Sequence, residues 1–111
     1  MFIYIIRHGE TYGNLNGDGF AETDLTPNGR EQIAFLGKRF KDIHIDKIYT
    51  SPLIRAVKTA NAVRSFHLNA PMEISSMLLE KGTDPNYVGL PDENLKALCP
   101  QAIISPRTPL G

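Results

Sequence analysis

The chain has 111 residues, of which 41% are apolar and 22% charged, with 12 Lys plus Arg balancing 12 Asp plus Glu. This length suits one domain, and a neutral balance gives no electrostatic reason for broad binding to nucleic acid or to an anionic membrane. The one cysteine, Cys99, excludes an intrachain disulfide and a thiolate metal cluster, and it fits a reducing compartment.

Phe2-Ile3-Tyr4-Ile5-Ile6 is an unbroken apolar run that gives way to Arg7, His8 and Gly9. A run of this β-rich type predicts a buried strand over residues 2–7. Ligands of open α/β sheets bind just outside the carboxyl ends of strands, where Arg7 and His8 would then sit. The run lacks a basic lead and Arg7 ends it, so it does not read as a signal peptide. No stretch approaches the length of a membrane span, and a cytoplasmic location is expected.

Residues 12–24 are rich in Gly, Asn and Asp and predict a loop. Asn14, Asn16, Asp18 and Gly19 match the opening of a calcium loop, but Leu25 stands where the bidentate glutamate belongs, and calcium is set aside. Leu25-Thr26-Pro27 opens a helix, with Thr26 as N-cap and Pro27 at the first helical position. Ile33, Leu36, Phe40 and Ile43 recur at helical steps and make one buried stripe. Gly29 is unfavourable inside a helix, so its expected use is close approach of the first turn to a neighbour. Residues 47–50 predict a second strand. Ser51-Pro52 repeats the cap signal for a helix to about residue 66, with Leu53, Val57, Ala60 and Val63 or Arg64 lining its rows. Pro71 to about Ser75 predicts a third strand. This β-α-β-α-β order predicts an α/β fold with a mostly parallel sheet in a three-layer α/β/α arrangement. Beyond it, Asp92 to Leu98 reads as a short helix capped by Asp92, and the last dozen residues read as extended or disordered.

The chemistry gathers at one end of that sheet. Arg7 and His8 end the first strand, Asn14 lies in the next loop, Arg55 opens the second long helix, and Glu80 follows the third strand. Two arginines, an amide and a helix N-terminus around one imidazole describe a phosphate pocket. A cationic setting favours the neutral imidazole, which makes His8 a candidate nucleophile, with Glu80 as proton donor and then base toward water. Each residue also has an ordinary use: a hydrogen-bonded histidine at a strand end, a solvated helix arginine, a surface carboxylate. His44 and His67 lie near helix ends and are expected to cap or solvate them. Tyr4 and Phe35 are expected in the core.

Arg7-His8-Gly9-Glu10-Thr11 with Asn14, Leu25-Thr26-Pro27-Asn28-Gly29 with Gln32, and Tyr49-Thr50-Ser51-Pro52-Leu53-Ile54-Arg55-Ala56 with Thr59-Ala60 together resemble the histidine phosphatase superfamily, the phosphoglycerate-mutase-like group. The resemblance covers residues 1 to about 80. It implies that His8 is the phosphorylated nucleophile, that Arg7, Asn14 and Arg55 bind phosphate, and that Leu78-Leu79-Glu80 supplies the proton donor. It implies no metal or other cofactor and a small phosphorylated substrate or inorganic phosphate as ligand.

The family's second catalytic histidine, in a Ser-His-Gly-type motif, has no counterpart here. The expectation is therefore the N-terminal portion of a longer domain, spanning residues 1–111 in this chain. Exposed apolar area on one side of the sheet is expected with it, and an oligomer through that side is one consequence. The functional expectation is a phosphatase of small phosphomonoesters acting through a phosphohistidine. The alternatives are a phosphoglycerate-mutase-type phosphotransferase and a non-catalytic anion-binding or interaction module.

Overall fold

A computed structural model describes residues 2–17, 23–78 and 90–105. Its elements are α1 (Tyr12–Asn16), α2 (Pro27–Phe40), β1 (Ile48–Thr50), α3 (Ile54–Arg64), β2 (Met72–Ile74), a 3-10 turn (Ser76–Leu78), α4 (Asp92–Leu98) and β3 (Ile103–Ile104). The strands form one parallel sheet in the order β1-β2-β3, with Ile48 opposite Met72, Thr50 opposite Ile74 and Ile74 opposite Ile104. The parallel α/β fold expected from the element order is present.

Alternation along the strands decides what the sheet covers. Ile48, Thr50, Met72 and Ile74 point to one face and are buried there. Val57 and Val63 of α3, Leu95 of α4 and Cys99 close over that face, with Leu36 and Phe40 of α2 packed alongside. The other face carries Tyr49 and Ile103, which are 57% and 56% exposed. Lys47 and Glu73 meet on this side at 3.1 Å, and the Ser105 hydroxyl donates to Glu73 at 2.7 Å. The expected open apolar area on one side of the sheet is thus found among the described residues. No helix among them is long and apolar enough to cross a membrane.

α2 begins as its sequence predicts. The Thr26 hydroxyl accepts from the Gly29 amide at 2.9 Å, and Pro27 fills the first turn, where a missing N–H costs nothing. Lys38 and Arg39 occupy its last turn, where cations suit the dipole. His67 donates to the Phe40 carbonyl at 2.6 Å and so caps the end of α2, in keeping with the expected helix-end role.

Several boundaries differ from the sequence reading. Residues 2–7 belong to no strand, and Phe2, Ile3 and Ile5 are 88%, 77% and 95% exposed. An apolar run becomes a central strand only with a neighbour to pair and a layer on each face. Here the helices gather on one face, and the run is held at its far end by side chains of α2 and α3. Tyr4 is consequently not core; it stands edge-on to Phe40 with ring centroids 5.2 Å apart. Phe35 is 62% exposed because it lies off the stripe of Ile33, Leu36 and Phe40, and Lys38 lies over its ring.

Part of the predicted loop is helix. Thr11 and Asn14 close a reciprocal capping box, so a glycine- and asparagine-rich segment gains one turn and a half of helix, α1. Ser51-Pro52 does not cap α3: both are buried, the Pro52 carbonyl accepts from Leu90, and α3 starts after Leu53. Asp92 is the first residue of α4 and not its cap, since the Pro91 carbonyl takes the Asn94 and Leu95 amides. Ile103 and Ile104 form a strand too short to show a period, and the Ser105 amide extends it to the Ile74 carbonyl at 2.9 Å.

Candidate functional site

His8 is placed by helices and not by a sheet edge. The Gly9 amide donates to Thr59 Oγ1 on α3 at 3.3 Å, and the Glu10 amide donates to Gln32 Oε1 on α2 at 2.8 Å. The Thr26 amide donates to the Glu10 carbonyl at 3.0 Å, and the Thr26 hydroxyl donates to Glu10 Oε1 at 2.8 Å. The segment Gly9–Thr11 is therefore fastened on both sides. Gly29 makes the α2 side possible, because the Glu10 carbonyl occupies the space that any Cβ on Gly29 would need. The close approach expected of Gly29 is found, and its neighbour is the backbone beside His8.

The imidazole of His8 is half-buried, and its Nδ1 lies 2.7 Å from the Gly9 carbonyl. A carbonyl only accepts, so Nδ1 carries the proton and the lone pair of the neutral ring resides on Nε2. A depression of about 320 Å³ opens beside it, lined by Arg7, His8, Glu10, Asn14 and Gln32. Arg7 is exposed and brings a guanidinium. The Asn14 carbonyl oxygen accepts from the Thr11 amide at 3.0 Å, which fixes the side chain and leaves its NH2 as the group able to donate elsewhere.

Three of the five residues singled out from sequence, Arg7, His8 and Asn14, thus share one depression. Arg55 is not part of its wall. It lies in the first turn of α3, 1% exposed, and its carbonyl accepts from the Thr59 hydroxyl at 2.7 Å. Glu80 lies outside the described residues. Sequence reasoning gave no role to Glu10, Gln32 or Thr59. Gly29 and Gln32 are three residues apart on one helix and so share a face, which is the signal that ties Gln32 to the close approach at Gly29.

Asp24 and Lys58 join the approach to α2 with α3, at 2.7 Å. Burial alone would raise the Asp24 carboxyl, but hydrogen bonds from Lys58 and the Leu25 amide, with the charges of Lys58 and Arg30, hold it below its ordinary value. Burial pushes the Cys99 thiol up, against a bond to Asn61 Oδ1 at 3.1 Å, which marks an inert thiol. A larger depression of about 370 Å³ lies around His44, Asp46, Phe66 and His67. Its histidines face Asp46 and the Phe40 carbonyl, so the smaller depression has the stronger claim to phosphate chemistry. Among the described residues no three His, Cys, Asp or Glu gather in a way that would hold a metal ion.

Known proteins resemble this chain in sequence and fold. A family model described as "Histidine phosphatase superfamily (branch 1)" matches residues 3–106. The chain is 36% identical to fructose-2,6-bisphosphatase TIGAR B of Danio rerio over 98 residues, covering 83% of this chain and 38% of that protein. It is 39% identical to a 2,3-bisphosphoglycerate-dependent phosphoglycerate mutase of Streptococcus thermophilus over 94 residues, covering 79% of this chain and 39% of the relative. Among solved structures, a phosphoserine phosphatase of Entamoeba histolytica, in complex with 3-phosphoglyceric acid, superposes with a TM-score of 0.53. It is 31% identical, with 80% of this chain and 44% of that one covered. The chain thus spans less than half the length of each of these relatives. With its matching motifs, fold and family model, the chain belongs to the histidine phosphatase superfamily, branch 1.

Proposed function

We propose that the chain carries the nucleophile of a phosphoryl-transfer enzyme that hydrolyses small phosphomonoesters through a phosphohistidine at His8. The observation that supports this most is the 2.7 Å contact of His8 Nδ1 with the Gly9 carbonyl, beside a depression that holds Arg7 and Asn14. The contact directs nucleophilicity to Nε2, and the guanidinium and amide suit phosphate oxygens.

In this reading Nε2 attacks phosphorus and the bond to the ester oxygen breaks. The leaving oxygen takes a proton from Glu80, in keeping with the family resemblance. Water then attacks phosphorus, Glu80 takes its proton, and the P–N bond breaks to release phosphate and the neutral ring. Arg7, Asn14 and Arg55 are assigned to phosphate, Arg55 by the family resemblance and from its place in the first turn of α3, where the helix dipole favours an anion. Cytoplasmic residence fits a single reduced thiol.

A second reading, transfer to an acceptor hydroxyl in place of water, is favoured by the likeness to a phosphoglycerate mutase. The two readings share the phosphoenzyme and differ in its fate. Incubation with a labelled phosphoester should place acid-labile phosphate on His8. Equal labelling of His8→Ala overturns the proposal, and decay of the label only when a phosphoglycerate is added favours the mutase reading.

A further inference from the structure

We infer that Thr59 is a positioning residue that sets the place of His8 relative to Arg55, an inference that rests on the proposed role of His8. Thr59 is 5% exposed on α3. Its hydroxyl is used twice: it donates to the Arg55 carbonyl at 2.7 Å and accepts from the Gly9 amide at 3.3 Å. The first bond is the usual return of a helical threonine hydroxyl to the carbonyl one turn earlier. It turns the oxygen lone pairs outward from that carbonyl, and one of them meets Gly9.

A single oxygen thus joins the residue after the candidate nucleophile to the backbone of a candidate phosphate ligand. The Gly9 carbonyl also holds Nδ1 of His8, so the peptide groups on the two sides of Gly9 have separate tasks. Its N–H locates the segment on α3 and its C=O orients the ring. Among the described contacts, Thr59 is the side chain that ties Gly9 to α3, whereas Thr26 and Gln32 tie Glu10 to α2. Losing it would remove this tie of the Gly9 amide to α3. Displacement of a nucleophile by about 1 Å lowers rates by up to about 100-fold.

The test compares Thr59→Val, which keeps the shape and removes the hydroxyl, with Thr59→Ser, which keeps the hydroxyl. Two readouts are taken, single-turnover labelling of His8 at saturating phosphoester and hydrogen exchange of the Gly9 amide. The expected result for Thr59→Val is a roughly 10- to 100-fold slower labelling step with donor half-saturation moved less than about threefold, and faster exchange at Gly9. Thr59→Ser is expected to restore both. Wild-type labelling in Thr59→Val, or a Ser variant as slow as the Val variant, overturns the inference. If the wild-type chain acquires no label, the phosphohistidine reading fails, and Thr59 is then judged by exchange: an unchanged Gly9 rate in Thr59→Val overturns it. If Thr59→Val does not fold, an unprotected Gly9 amide in the wild-type chain overturns it equally.

Discussion

The carbonyl oxygen of Glu10 lies where a Cβ on Gly29 would stand. A helix-breaking residue in the first turn of α2 is thereby the residue that lets α2 bind the segment after His8. Alanine is better than glycine by about 1 kcal/mol in a helix. Overlap with a fixed backbone atom outweighs this, since overpacking typically costs about 1–3 kcal/mol.

Gly29→Ala is therefore expected to lower the urea midpoint and to slow His8 labelling in the molecules that remain folded. Gly37→Ala is the control. Its Cβ would meet the Ala62 carbonyl at 2.5 Å, where α2 crosses α3, away from the depression. It should destabilise to a similar degree with labelling per folded molecule retained. Equal labelling defects in the two variants would show that general destabilisation, and not the contact with Glu10, is responsible.

The pH dependence of stability follows from Asp24. Its carboxyl is held below the ordinary value of 3.8 in the folded chain, by Lys58 chiefly, against the opposing effect of burial. A depressed folded pKa gives stability that is present above the unfolded pKa and is lost as pH falls through the folded one. The loss is thus expected below about pH 4, on the acid limb. Because the Asp24 side chain is 35% exposed, the ion pair is screened and contributes at most about 1 kcal/mol. Asp24→Asn should flatten that limb in acid unfolding followed by circular dichroism, and an unchanged profile would remove the pair from the account.

Thr26, Pro27 and Gly29 announce α2 and its close contact, because caps and glycines act within one turn of chain. The motifs around His8 and Arg55 likewise name the candidate site. The residues that locate His8 were less legible. Thr59 lies 50 positions from Gly9, and nothing local marks a hydroxyl in a helix as an acceptor for a distant amide. The apolar run at residues 2–7 shows the opposite failure. Its composition fits a strand, but pairing depends on a neighbour, and the described sheet joins β1 to β2 and β3 instead. The pairing of Ile103 and Ile104 with β2 also depends on what lies opposite, which periodicity does not contain.

Leu95 tests whether α4 belongs to the core. It is fully buried in the cluster with Met72, Ile74 and Val57. Removing its side chain should cost about 2–5 kcal/mol, as large-to-alanine changes in cores do. Thermal unfolding of Leu95→Ala measures this. A change within about 0.5 kcal/mol, the level of ordinary surface substitutions, would mean that α4 is not packed as described.

The proposed function gives Asn14 two separable tasks. Its carbonyl oxygen accepts from the Thr11 amide and closes the capping box of α1, while its place in the wall of the depression leaves the NH2 for the proposed phosphate contact. Asn14→Asp keeps an acceptor for Thr11 and replaces the NH2 donor with negative charge. Asn14→Ala removes both. Asn14→Asp should therefore preserve α1, because the box needs only an acceptor at that position. It should weaken inorganic phosphate binding by at least about tenfold, since a like charge beside the anion adds repulsion to a lost hydrogen bond. Asn14→Ala should weaken phosphate less and loosen α1 more, with about 1 kcal/mol lost at the cap. Phosphate titration followed by NMR, with Thr11 amide exchange as the measure of α1, separates the two functions. If both variants bind phosphate as the wild-type chain does, Asn14 is a cap alone and the phosphate lies elsewhere in the depression.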